Sequence, residues 1–272
     1  MVRMNYNQRN RETPDRLLSK IIMIHNTPAN SKKLILLVEG KYDVPFYWKF
    51  CDSQYVRIHF TDGSDKMNSL IPMLQKRNYE YLAIQDSDFK IFGQQKSCFP
   101  NLFFTDYHDY EMTCFSDATF SQAYSDRLLN DYGIVVDYGK IDSDLFLLSC
   151  YKAYNMINSL SVSFKGIDQK VAVLQNLGHE EIQKNIAGNL HQGCITGFIR
   201  GNQKLVNVKW HLHNGHDWLN RICYQLNSQH NVDEMDLQDL LVDLYSINEF
   251  SKTLLYQDIE KWSSNAKRKV WN

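Results

Sequence analysis

The sequence predicts an α/β protein: a parallel sheet flanked by helices, followed by a mainly helical C-terminal region. Three observations carry that expectation. Five consecutive aliphatic residues, Leu34-Ile35-Leu36-Leu37-Val38, stop abruptly at Glu39-Gly40, as a strand buried on both faces does. Strand-like and helix-like segments then alternate as far as Thr105, the pattern of a doubly wound unit. After Phe115 the apolar spacing becomes almost wholly helical.

Taken in order, residues 1–12 are polar and rich in Arg and Asn, and are expected to be loose. Thr13-Pro14 supplies an N-cap and a proline at the first helical position, and Leu17, Leu18, Ile21, Ile22 and Ile24 support a helix to His25. Pro28 lies in the break that follows. After the first strand come a helix over Asp43–Cys51, a strand over Val56–Phe60, a turn at Thr61–Ser64 and a helix over Met67–Gln75. A third strand, Tyr81–Gln85, runs into Asp86-Ser87-Asp88, and a fourth covers Leu102–Thr105. The chain therefore divides, on this reading, into an N-terminal tail and helix (1–30), a sheet domain (31–116) and a helical domain (117–272). In the last, helices are expected over 121–129, 143–160, 170–177, 217–226, 236–245 and 249–262, with strand-like interruptions at 133–138 and at 195–199 or 205–210. The basic tail Lys267-Arg268-Lys269 reads as a solvated end.

A chain of 272 residues with 43% apolar and 22% charged residues can bury a sizeable core. Its net charge of -1 excludes a globally basic nucleic-acid binder, so any such role must rest on a local site. The aromatic content of 13% suggests wide packed surfaces, an interface among them, and the neutral charge, which would leave one monomer a weak grip on nucleic acid, suggests a homodimer that sums two sites. Six cysteines without a C-x-x-C pair, and no secretory pattern, predict reduced thiols in a cytoplasmic protein. No apolar run approaches the length of a membrane span.

The chemistry is expected at the carboxyl ends of the strands, where functional groups of an open parallel sheet collect. Glu39 closes the first strand, Asp86 and Asp88 close the third, and Asp106, Asp109 and Glu111 follow the fourth. A glutamate joined directly to five buried aliphatics is costly without a partner. A hard divalent cation is a natural one. Asp86-x-Asp88 can place two carboxylates on one ion, and Mg²⁺ prefers a few carboxylates with waters completing its octahedron.

These residues carry a resemblance. Leu36–Asp43 (L-L-V-E-G-K-Y-D) and Ile84–Phe89 (I-Q-D-S-D-F) resemble the two motifs of the TOPRIM fold, found in topoisomerases, primases and OLD-family nucleases. Thr105–Met112 (T-D-Y-H-D-Y-E-M) and Asn214–Leu219 (N-G-H-D-W-L) resemble more narrowly the AriB-type TOPRIM effectors of PARIS anti-phage systems. The core resemblance spans residues 33–115 and a looser one reaches the C-terminus.

The resemblance implies a magnesium-dependent endonuclease, with manganese as a substitute. Glu39 matches the first-motif glutamate, a metal ligand or general base, and Asp86 and Asp88 match the metal-binding pair. Asp43 either supports the metal site or caps its helix, and Asp109 and Glu111 match a further acidic position in the metal set. No motif fixes a charge-stabilising lysine; Lys41 and Lys90 flank the acids, and Lys41 joins the catalytic set. The implied role is the toxic effector of a bacterial anti-phage, abortive-infection system. Its implied partners are an ABC-type ATPase that holds it inactive, a phage-encoded trigger acting through that ATPase, and a nucleic-acid substrate, tRNA before DNA. The rival reading is a non-catalytic module that docks on an ATPase or inhibitor. Glu39→Ala is expected to abolish cleavage and spare the fold.

Other features weigh less. His211, His213 and His216 form H-x-H-x-x-H without a fourth ligand, and a structural turn is preferred over zinc. Tyr107, Tyr110 and Phe115 could stack on bases, but core packing is expected for at least two of them. No P-loop occurs, so ATPase activity would belong to a partner.

Overall fold

A computed structural model describes residues 13–93, 99–168, 170–171, 174, 177–227 and 230–272. The expected loose tail at 1–12 and Cys98 lie outside the described residues, as does part of the helix expected over 170–177. The chain forms two compact units: the first comprises residues 1–86, 97–104 and 254–272, and the second 87–96 and 105–253. These boundaries differ from the sequence-based division at residue 116: residues 87–96 and 105–116 fall in the second unit, and the last helix returns to the first.

The first unit carries a four-stranded, all-parallel sheet of β1 (Leu34–Val38), β2 (Val56–Phe60), β3 (Tyr81–Gln85) and β4 (Leu102–Phe104), in the order β2-β1-β3-β4. All five residues of β1 and of β3 are buried, which is why β1 reads as an uninterrupted apolar run and β3 as an apolar run as far as the buried Gln85. β2 is an edge strand, and there burial alternates.

Helices α1 (Pro14–His25) and α3 (Ser64–Lys76) cover one face. Leu17, Leu18 and Ile21 of α1 and Met67, Leu70, Ile71 and Leu74 of α3 pack there on Ile35, Leu37, Tyr81, Ala83 and Leu102. Thr13 caps α1 and Pro14 occupies its first turn, as the sequence predicts. Helix α2 (Asp43–Phe50) packs against β2, and the Leu254–Ala266 helix packs against β4. The C-terminal residues are pinned: Cys51 and Trp271 form an antiparallel bridge, Asp52 N donates to Val270 O at 2.9 Å, and Asn272 N donates to Phe50 O at 2.9 Å. The tail expected to be a solvated end therefore has a fixed backbone, with Val270 and Trp271 buried and the side chains of Lys267, Arg268 and Lys269 exposed.

The pairing Leu37↔His59 places the edge-strand His59 beside Leu37. Burial first, then the charges of Arg57 and His25, push its imidazole down to about 4. The unfolded chain binds a proton near the ordinary value of 6.5, which the fold resists until about 4. His59 therefore contributes stability above pH 6.5 that is lost as the pH falls toward 4. In thermal melts across that window, His59→Gln should show a shallower acid-side fall in Tm than the wild type. Parallel profiles would remove His59 as the cause.

The second unit is helical among its described residues, apart from one isolated bridge between Ser163 and Ala187. The three strand-like interruptions expected here are corrected. At 133–138, Gly133 (φ 68°) ends the Ala118–Tyr132 helix in the left-handed conformation, Val135 is exposed, and Asp137 caps the next helix. Residues 195–199 lie in the Gln192–Gly201 helix, with Ile195, Phe198 and Ile199 at helical rather than alternating spacing. Residues 205–210 span parts of two one-turn helices, Gln203–Val206 and Lys209–Leu212. The helix expected over 249–262 is two, Ile247–Phe250 and Leu254–Ala266, and the units divide at the break between them. Among the described residues, no helix is long and apolar enough to cross a membrane.

Candidate active site at the sheet's switch point

The order β2-β1-β3-β4 means that the chain leaves β1 in one direction for β2 and then crosses to β3 and β4 in the other. The carboxyl ends of β1 and β3 flank that reversal, the place where open α/β sheets form a ligand crevice. Glu39 follows β1 and Asp86 follows β3, and these strands are parallel neighbours in the register Val38↔Ile84. The first unit thus brings these two acids to adjacent strand ends. Each is half-buried.

The turn after β2 closes over Glu39. Thr61 N donates to Val38 O at 2.9 Å, and Gly63 N donates to Glu39 O at 3.2 Å. Gly63 (φ 115°) precedes α3 and has no side chain to cap it. Glu39 Oε1 supplies the acceptor instead, taking the N–H of Ser64 at 3.1 Å. A carboxylate at a helix N-terminus is favoured by the helix dipole. The acid that sequence alone explains only by a ligand therefore also has a structural use.

Asp43 caps the turn leaving β1: Gly40 N donates to Asp43 Oδ2 at 2.7 Å. This bond closes the turn before α2, whose N-cap position is Tyr42. Lys41 is exposed, with its ammonium 4.3 Å from the Tyr42 ring centroid.

The unit boundary falls between Asp86 and Ser87, so Asp88 opens the second unit. Asp88 sits in the left-handed region (φ 44°), a conformation that Asp tolerates better than most residues. It is held there by its N–H, which donates to His108 O at 2.7 Å, and by Lys90, whose Nζ lies 3.1 Å from Oδ2. Ser87 anchors the same turn: its N–H donates to Thr105 Oγ1 at 2.9 Å and its hydroxyl to Thr105 O.

Asp109 and Glu111 also belong to the second unit, which packs the two later motifs against each other. Asp109 caps the Tyr110–Ser116 helix, accepting from Met112 N at 2.8 Å, and accepts from Gly215 N at 2.6 Å. Burial opposes its ionisation. The bond from His108 and those from Gly215 and Met112 outweigh this and hold its pKa below the ordinary value. Glu111 is buried and accepts from Gln238 Nε2 at 3.1 Å. A Cβ on Gly215 would lie 2.5 Å from Glu111 Cβ and 2.7 Å from Asp109 Oδ1, so only glycine fits. The metal role that the resemblance implies for this pair thus competes with a packing role.

The three histidines face different partners. His211 stacks obliquely on Tyr107 (4.7 Å), and His216 bonds Glu234. His213 is fully buried between Ser149 (2.9 Å) and Asp142 (2.7 Å). This Ser149–His213–Asp142 chain has the order of an acyl-transfer triad. Its hydroxyl is buried in the middle of the Tyr138–Ile157 helix, where no substrate can reach it. Tyr110 and Phe115 are core residues, as expected for two of the three aromatics.

Among the described residues, no group of three or more His, Cys, Asp or Glu side chains converges as a metal centre. Two carboxylates at neighbouring strand ends still suit Mg²⁺, which keeps several waters and is commonly held by one or two carboxylates together with substrate phosphates. No protein-family model, no curated protein and no solved structure matches the chain. The functional reading rests on the residues themselves.

Proposed function

We propose that this chain is a TOPRIM-type, magnesium-dependent nuclease acting at the carboxyl ends of β1 and β3. The observation that carries the reading is the pair Glu39 and Asp86, set by separate elements at adjacent strand ends where the sheet order reverses.

Bound Mg²⁺, or Mn²⁺ in its place, would neutralise charge on the phosphoryl oxygens and lower the pKa of the attacking water. Asp86 would hold it, with Asp88 as the further carboxylate the motif implies, and Glu39 either completes the shell or takes the proton of the attacking water. By the same resemblance the protein is the toxic effector of an anti-phage system, restrained by an ABC-type ATPase until a phage trigger releases it, with tRNA as the first substrate and DNA as the second.

The Glu39–Ser64 bond favours a second reading, in which Glu39 is a helix cap and the chain is a non-catalytic module that docks on an ATPase or inhibitor. Purified protein incubated with a tRNA pool and with plasmid DNA separates the two. The nuclease reading expects cleavage with Mg²⁺ or Mn²⁺ that EDTA stops. Intact nucleic acid under all conditions supports the docking module.

A further inference from the structure

At the opposite, amino end of the same sheet, residues far apart in sequence converge into a basic surface. Arg268 borders three adjacent hollows of about 680, 470 and 450 Å³. Five Lys or Arg residues line them, Lys32, Lys33, Lys267, Arg268 and Lys269, against two acids, Glu80 and Glu260. With Asp52, the partner of Lys269, counted as a third acid, the surface keeps a net charge of +2 in a chain of net charge -1.

The surface is built rather than incidental. The tail backbone is fixed by the Cys51–Trp271 bridge, and Arg268 N donates to Ser263 O at 3.0 Å. Lys33 donates to Ser53 O at 2.8 Å, Lys269 pairs with Asp52 at 2.8 Å, and Arg268 pairs with Glu80. The amides of Asn26 and Asn78 and the ring of Tyr79, which meets His25 edge-on, complete the largest hollow.

We propose that this surface docks the phosphodiester backbone of a nucleic acid, so that the polymer is gripped at one end of the sheet and cut at the other. Several linked hollows along a basic ridge suit an extended polyanion better than a small free anion. Five-residue strands separate the two ends by roughly 16 Å, a span a polymer bridges and a mononucleotide does not. The inference rests on the proposed nuclease function for its meaning, but its test does not require cleavage.

Binding of a labelled tRNA pool, and of duplex DNA in parallel, is measured by anisotropy in EDTA over a range of salt, using full-length protein carrying Glu39→Gln. Against this background Lys32→Glu/Arg268→Glu should bind at least about tenfold more weakly. Its log–log salt slope should be shallower by about 1.4 to 1.8, the change expected when two phosphates are no longer neutralised. The neutral pair Lys32→Gln/Arg268→Gln should show the same direction with less risk to the fold, monitored by Tm. The control pair Lys165→Glu/Lys184→Glu, exposed on the second unit, should bind like the background protein. Unchanged affinity and slope in the folded docking variants, an equal loss in the control, or no binding by the background protein would overturn the proposal. If the background protein binds while the wild type cuts nothing, docking stands and the nuclease reading falls. If the wild type cuts, the docking pairs bind like the background protein, and the same pairs introduced with Glu39 intact cut as fast as the wild type, docking falls alone.

Discussion

Replacing Glu39 by Gln should lower Mg²⁺-dependent cleavage by about 10²- to 10⁴-fold, the range over which a positioned proton acceptor acts, while the fold loses only the charge's favourable placement at the N-terminus of α3, about 0.3–1 kcal/mol. The neutral amide still offers an oxygen to Ser64 N–H, so the cap on α3 survives and only the charge is lost. Glu39→Ala removes both. Loss of a helix cap costs about 1 kcal/mol, so the alanine variant should be inactive and also melt earlier. The expectation from sequence, that alanine would abolish cleavage and spare the fold, is sharpened by this bond. Cleavage rates and melts of both variants decide the matter. A glutamine variant that cuts at the wild-type rate leaves Glu39 as a cap and moves the chemistry elsewhere.

The largest effect on stability is expected at Gly215. Its amide donates to the buried carboxylate of Asp109, and its α-carbon lies against Glu111. Neither side chain can easily give way, since Asp109 is tied to Met112 N and Glu111 to Gln238. Overpacking costs about 1–3 kcal/mol, and a weakened bond to a charged group about 1.5–3 kcal/mol. Gly215→Ala should therefore lose about 2.5–6 kcal/mol, which lowers Tm by roughly 5–24 °C in a unit of this size. Gly197→Ala is the contrast. Gly197 lies inside the Gln192–Gly201 helix with nothing within 4 Å of the added methyl, so alanine there should gain up to about 1 kcal/mol from helix propensity. Equal melting of Gly215→Ala and the wild type would mean that the two motifs are not packed as described.

The strands were legible because burial on both faces writes itself as an apolar run, unbroken in Leu34–Val38 and broken in Tyr81–Gln85 only by its last residue, the buried Gln85. Helix α1 was legible because Thr13-Pro14 carries its own start signal. Short mixed segments such as Ile195–Ile199 were not, since three apolar residues in five suit either period until their neighbours are known. At the candidate site, the acids could be placed at strand ends from sequence, but their adjacency depended on strand order, a long-range property. Asp43 could be weighed as a cap, whereas the capping use of Glu39 involves a residue twenty-five positions away. The roles of Gly215, Gln238 and Arg268 likewise arise from pairings with distant residues. The glycine opening Asn214–Leu219 was visible as part of a motif, but nothing local said what it must avoid touching.

The return of the last helix to the first unit bears on how such a chain can be inherited. The helical unit is nested inside the sheet unit: the chain crosses between them after Asp86, again around Ser97, after Phe104 and finally after Thr253. Recombination exchanges contiguous stretches of sequence, and no contiguous stretch here contains the whole of the sheet unit without the other. The two cannot be shuffled as separate cassettes, so selection acts on them as one heritable block.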